Sequence, residues 1–218
     1  HGSGFTGSGE RMLASVVGVE ATRDAKIRVL AASTEIGQGT NTIFGQIVAE
    51  TLGIDYEDIE VAQPDTKTVP NSGPTVASRT CMVVGKLIES ASLGLKQTLM
   101  GAGLLKENHS SEDFRNAIRA YLKKNDELKI YSTYKQPPNV WWDDDKYQGD
   151  AYGAFAWATY IAEVSVDTST YEISVDHFTA VQEVGKVIHP ILAAGQIEGG
   201  VAQGIGYALY EKVVWRNG

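Results

Sequence analysis

Cysteine is nearly absent from this chain. Cys81 is the only one in 218 residues, so an intrachain disulfide, a four-cysteine zinc site and an all-cysteine iron–sulfur cluster are excluded within the chain itself. A lone cysteine also fits a reducing, cytoplasmic setting. Histidine is scarce too: His1, His109, His177 and His189 show no metal-ligand spacing, so any metal must be carried by something other than these side chains. Positive charge is in deficit. The formal net charge of −8 argues against nucleic acid and against an anionic membrane surface as partners. No apolar run approaches the roughly 20 residues of a membrane span, and no signal-peptide pattern is present.

What is present is ordinary for a soluble globular protein: 43% hydrophobic and 21% charged residues, enough for one large domain or two small ones. Gly2 to Gly9 reads as a flexible glycine-rich loop, followed by strands at Met12–Glu20 and Lys26–Ala32 with a turn at Asp24–Ala25. A helix from about Asn41 to Leu52 places Ile43, Ile47, Val48 and Leu52 on one face, with Gly53 as C-cap. A short strand, Ile59–Ala62, leads into a long loop, Gln63 to Ser78, of the kind that usually serves function. Helices follow at Arg79–Met100 and Ser111–Lys124, then a strand at Leu128–Tyr134 and a loop, Gln136–Asp150, whose acidic run reads as solvated surface. Two long strands, Tyr152–Val166 and Tyr171–Val181, precede a helix from Pro190 to about Tyr210. The order of elements predicts an α+β fold of mixed sheets with packed helices, divided near Asn125 into two lobes, 1–125 and 126–218. The chain opens on His1 inside a glycine-rich run and stops at Gly218 just after a strand-like pattern begins, which reads as a piece of a longer polypeptide.

One stretch stands out chemically. Ser33 to Thr42 reads Ser-Thr-Glu-Ile-Gly-Gln-Gly-Thr-Asn-Thr, between a strand and a helix. Gly37 and Gly39 flank Gln38; glycines there allow positive φ and leave no Cβ between the backbone N–H groups and a ligand. The helix start offers N–H donors that suit an anion such as phosphate. A tight turn with Thr40 or Asn41 as N-cap is the plainer alternative.

Three motifs together resemble the pyranopterin-wrapping segments of the molybdenum hydroxylase large subunit, the xanthine dehydrogenase and aldehyde oxidase family. They are Thr34-Glu35-Ile36-Gly37-Gln38-Gly39, then Val69 to Thr80 (Val-Pro-Asn-Ser-Gly-Pro-Thr-Val-Ala-Ser-Arg-Thr), then Gly195-Gln196-Ile197-Glu198-Gly199-Gly200 followed by Gln203-Gly204-Ile205-Gly206. The resemblance implies stacked α/β lobes and a molybdenum ion held by the dithiolene of molybdopterin, in a mononucleotide or cytosine dinucleotide form. It assigns cofactor contacts to Ile36, Gly37, Gln38, Gly39, Ala77, Ser78, Arg79, Thr80 and Gln196. Each glutamine can donate and accept at once, as a pterin edge requires. Arg79, at the start of a helix where a cation opposes the dipole, points to a phosphate or acidic partner, or else faces solvent. Cys81 follows the contact run; as residue type alone it reads as a small apolar residue on the buried face of its helix.

Gly4-Phe5-Thr6 resembles the Phe-Thr pair of xanthine-oxidising members. It implies that Phe5 stacks on, and Thr6 hydrogen-bonds to, an aromatic N-heterocycle, so that a purine-like substrate is hydroxylated with water as oxygen source. Aldehyde, carbon monoxide and aroyl-CoA substrates are the family's alternatives, and a non-catalytic pterin-binding module is a further one. The family's catalytic Gly-Glu-Pro segment has no counterpart: Gly9-Glu10-Arg11 lacks the proline. The resemblance therefore implies a C-terminal portion of an oxidoreductase with no catalytic residue and no protein metal ligand of its own. It would be inactive alone and dependent on the remainder of the large subunit, with [2Fe-2S] clusters and FAD on partner domains or subunits.

Overall fold

The computed structural model describes the backbone of residues 2–5 and the whole of residues 15–216. Two compact units are seen, Gly2–Phe155 and the stretch from Ala156 onward.

The first unit is built on a four-stranded sheet ordered β4-β3-β2-β5. Its strands are β2 (Val16–Ala21), β3 (Ile27–Leu30), β4 (Ile59–Val61) and β5 (Leu128–Thr133). β2 pairs antiparallel with β3 and with β5, while β3 and β4 run parallel and are bridged by α1 (Thr40–Leu52). Alternation along the strands sends Val17, Val19, Ile27, Val29 and Leu128 into the core. Their neighbours Glu20, Arg28, Glu60 and Lys129 form an ion-paired row across the other face. The tight β2–β3 turn has Ala25 in the left-handed region (φ 66°) and Asp24 accepting the Thr22 hydroxyl at 2.6 Å.

Helices cover the core face. α1 buries Phe44, Val48 and Leu52, and its C-cap Gly53 (φ 69°) donates its N–H to Ala49 O. The next helix differs from the expected continuous run from Arg79. A π turn (Thr80–Val84) comes first, with Gly85 N–H reaching back to Thr80 O, and only then α2 (Gly85–Gly101). The widened turn lies where α2 closes on α1: a Cβ on Gly85 would come within 3.0 Å of Ile47 Cδ1. The i+4 series holds, since Val83, Leu87, Ala91 and Leu95 are all buried. α3 (Ser111–Leu122) opens on a capping box in which Ser110 and Asp113 exchange hydrogen bonds, and it buries Phe114, Ala117 and Ile118.

Residues 2–5, expected in a flexible loop, form β1 (Gly2–Phe5), antiparallel to β8 (Tyr152–Phe155) with Phe5 opposite Tyr152. Between β5 and β8 lies a small hairpin, β6 (Trp142–Asp143) and β7 (Gln148–Gly149). β5 lies beyond the expected lobe boundary near Asn125 yet completes the sheet of the first unit.

The second unit holds the hairpin β9 (Ala158–Val166) and β10 (Ile173–Gln182), and helix α4 (Pro190–Leu209). Proline at the first helical position is pre-set for the helix, and Leu192 N–H donates to His189 Nδ1 at 3.2 Å. None of its described residues is buried. Architecture and composition together make the fold α+β, with helices on mixed sheets, as expected. Among the described residues no helix is long and apolar enough to cross a membrane.

Candidate functional site

The first motif leaves β3 and enters α1 through a turn closed from within. Gly37 and Gly39 both take positive φ (101° and 91°). Glu35 Oε1 accepts the N–H groups of Gly37 (2.8 Å) and Gly39 (3.0 Å), and Oε2 accepts that of Asn41 (3.0 Å). The expected side-chain N-cap at Thr40 or Asn41 is therefore replaced: Gly39 is the capping residue and the acceptor comes from upstream. Of the donors expected to be available to a phosphate here, those of Gly39 and Asn41 are engaged by Glu35. Burial acts to raise the Glu35 pKa, but backbone donors from Asn41, Gly39, Gly37 and Ile36 outweigh it and hold the carboxyl below its usual range.

Gln38 is likewise turned inward. Its Oε1 accepts Ile36 N–H at 2.7 Å, and its Nε2 donates to Thr34 O (2.7 Å) and Thr40 Oγ1 (2.8 Å). What the turn shows to solvent is Ile36, 81% exposed, and Gly37, where an added Cβ would find no atom within 4 Å.

The second motif is stitched to the first. Ala32 N–H donates to Ser72 Oγ (2.7 Å) and Thr34 N–H to Thr75 Oγ1 (2.9 Å). Arg79 is not solvent-facing: it is 3% exposed and donates to Ser72 O (3.0 Å), Pro74 O (2.9 Å) and Ser15 Oγ (2.7 Å). This packing explains Gly73 (φ 77°), since a Cβ there would lie 3.0–3.1 Å from the guanidinium. With Arg79 anchored beneath, Ala77 and Ser78 are held consecutively in the left-handed region (φ 53° and 54°) and exposed. Non-glycine residues there are strained by about 1–3 kcal/mol each and persist only where the surroundings enforce it. Their backbone N–H groups have no acceptor among the described residues. Thr80 opens the π turn, half-buried.

Two of the three motifs are thus brought together within the first unit. Gln196 of the third lies on α4, exposed, with Gln203 two turns further along the same face. Phe5 lies on β1, while Thr6 falls outside the described residues. Cys81, read as buried, is exposed; its neighbours still desolvate the sulfur enough to push the thiol pKa up. No cluster of three or more His, Cys, Asp or Glu able to hold a metal occurs among the described residues. The organising residues missed by sequence reasoning are Glu35, Ser72, Thr75 and Ser15. Glu35 had a readable signal: a carboxylate two and four residues before the glycines Gly37 and Gly39 can fold back on their N–H groups.

A family model described as a molybdopterin cofactor-binding domain matches residues 1–218. The chain is 28% identical over 203 residues to the xanthine dehydrogenase molybdenum-binding subunit of Escherichia coli O157:H7, covering 88% of this chain and 27% of that protein. It is 29% identical over 197 residues to a xanthine dehydrogenase of Oryza sativa subsp. japonica, covering 90% of this chain and 14% of that one. Among solved structures, the aldehyde oxidoreductase from Desulfovibrio gigas superposes with a TM-score of 0.77 at 27% identity, over 94% of this chain and 22% of that chain. The quinoline 2-oxidoreductase from Pseudomonas putida 86 does so with a TM-score of 0.77 at 25% identity, over 98% of this chain and 30% of that chain.

Proposed function

Because the chain belongs to the molybdopterin cofactor-binding domain family over its whole length, we propose that it is the cofactor-binding portion of a molybdenum hydroxylase large subunit acting on a purine-like or other N-heterocycle. The observation that carries this reading is the stitched pair of motifs, which ends in two strained, exposed residues, Ala77 and Ser78, whose N–H groups have no acceptor among the described residues. Strain of this kind is held where a backbone must meet a ligand.

The residues fit such a group. The group, when bound, supplies the redox-active molybdenum. The first unit supplies the backbone N–H groups of Ala77 and Ser78, the hydroxyls of Ser78 and Thr80, and the Cβ-free face at Gly37 beside Ile36; Gln196, on the second unit, is a cofactor contact by the family resemblance. Gln38, Gly39 and Arg79 act in this reading by holding those contacts in place. Phe5 and Thr6 orient a flat heterocycle. The remainder of the large subunit, and iron–sulfur and FAD partners in the cytoplasm, complete the enzyme; the chain contributes no catalytic base and is inactive alone. The dinucleotide form of the cofactor is part of the proposal. The likeness to the aldehyde oxidoreductase from Desulfovibrio gigas supports an aldehyde substrate as the second reading.

The test is to purify the natural polypeptide that carries this chain and assay molybdenum, oxidised pterin fluorescence and turnover in ¹⁸O-water. Stoichiometric metal and pterin, with ¹⁸O entering an N-heterocycle faster than an aldehyde, are expected. A polypeptide free of pterin overturns the cofactor reading; preference for aldehydes overturns the substrate.

A further inference from the structure

Glu35 holds more of the first motif's backbone than any other side chain. We propose that Glu35 is the positioning residue of the cofactor-binding turn: its carboxylate fills the anion position at the start of α1, keeps a ligand phosphate out of that helix end, and presents Gly37 as a preformed, uncharged contact face. The proposal rests on the reading that Ile36–Gly39 meets the cofactor, and it narrows which part of the cofactor that is.

A helix start attracts an anion through its unpaired N–H groups and the positive end of the dipole. Here the anion is internal. One oxygen takes Gly37 and Gly39, and the other takes Asn41, all at 2.8–3.0 Å, well-formed N–H···O distances. An incoming phosphate would have to displace a tethered carboxylate and would meet like charge on approach. The open side is at Gly37, with no atom within 4 Å of its would-be Cβ and Ile36 alongside. That surface suits a flat, uncharged heterocyclic edge. The Ala77–Ser78 N–H groups, which lie outside the Glu35 bonds, remain for the charged part of the ligand. The largest causes that depress the Glu35 pKa are hydrogen bonds from the turn's own backbone, working against burial. Its protonation therefore reports on the turn itself.

The experiment follows backbone amide signals of the 218-residue chain by NMR, with inorganic phosphate as the probe, in wild type, Glu35→Ala and Glu35→Gln. In wild type at neutral pH, phosphate leaves Gly37, Gly39 and Asn41 unmoved. Acidification below the ordinary carboxylate range shifts these three together. In Glu35→Ala, their amide exchange quickens about tenfold or more, and millimolar formate or phosphate restores the wild-type shifts by entering the vacated position. Glu35→Gln keeps one acceptor oxygen and falls between. If the alanine variant does not fold, the glutamine variant carries the same exchange and anion measurements. Phosphate moving the wild-type signals, or exchange unchanged in both variants, overturns the proposal. Neither measurement needs cofactor, so a pterin-free natural polypeptide would sink the cofactor reading while leaving the anion result standing.

Discussion

The two units of the chain make their secondary structure in the same way and stabilise it very differently. In Gly2–Phe155, strands and helices close on a core in which Phe44, Leu52, Ile88, Leu95, Leu99, Phe114 and Ile118 are essentially inaccessible. In the second unit the β9–β10 ladder runs from Ile173↔Val166 to Gln182↔Ala158 with one irregularity, and α4 has a proline start and a histidine cap. Yet Ile161, Val164, Val181 and Ile191 remain 53–79% exposed. Hydrogen-bond ladders and caps define an element's geometry; removal of apolar surface from water makes it last. An isolated two-stranded ribbon is marginal in water however regular its bonds.

Matched truncations test that contrast most strongly. Leu95→Ala, deep under β2 and β5, should cost about 2–5 kcal/mol of unfolding free energy. Ile161→Ala, 55% exposed on β9, should cost under about 0.5 kcal/mol. Urea melts followed by circular dichroism give both values. Equal losses would mean that the second unit is packed in solution and would break the comparison.

Within the first unit, Arg79 ranks next. Its fork reaches two carbonyls and a hydroxyl at once, which a lysine ammonium on a thinner stem cannot reproduce. Arg79→Lys should lower stability by roughly 1.5–3 kcal/mol and release the Ser72–Ser78 amides to faster exchange. A lysine variant as stable as wild type would show that the guanidinium is not what holds Ala77 and Ser78 in place.

The ranking also shows what the sequence could and could not display. Helices and strands were legible because their apolar residues recur at i+4 or i+2: Val83, Leu87, Ala91 and Leu95 lie in the core as expected. The motif residues were legible as residue types at a spacing. What those side chains touch was not. Arg79 and Gln38 each bond the backbone of their own loops, because a loop of small polar residues must satisfy its own backbone. The order of elements alone suggests a division near Asn125. The antiparallel pairing of β5 with β2, more than a hundred residues upstream, carries the first unit past it.

Capping extends the comparison at smaller scale. Ser110 caps α3 over a buried face, and Ser110→Ala should cost about 1 kcal/mol globally. Asp113 accepts from the Ser110 backbone and hydroxyl, which holds its carboxyl below the usual aspartate range. The folded-state pKa is depressed, so this contribution is fully present above the unfolded value and is lost as pH falls through the folded one. The alanine variant should flatten the acid limb of the stability profile below about pH 4. His189→Ala, in the equivalent place on α4, should speed exchange of the first-turn amides and leave the global melt unchanged, because no described residue of that helix is buried.

The smallest effect on folding is expected at Gln196, and its smallness is the point. The side chain is exposed on a helix without a buried residue, and alanine is the better helix former by a few tenths of a kcal/mol. Gln196→Ala should therefore change stability by no more than about 0.5 kcal/mol, in contrast to Arg79→Lys. A polar amide that contributes nothing to the fold is free to serve a ligand. In the natural polypeptide the same substitution should lower bound molybdenum and pterin while the melt of the apo chain stays in place. The reverse pattern, a destabilised apo chain with full cofactor content, would make Gln196 a packing residue and not a cofactor contact.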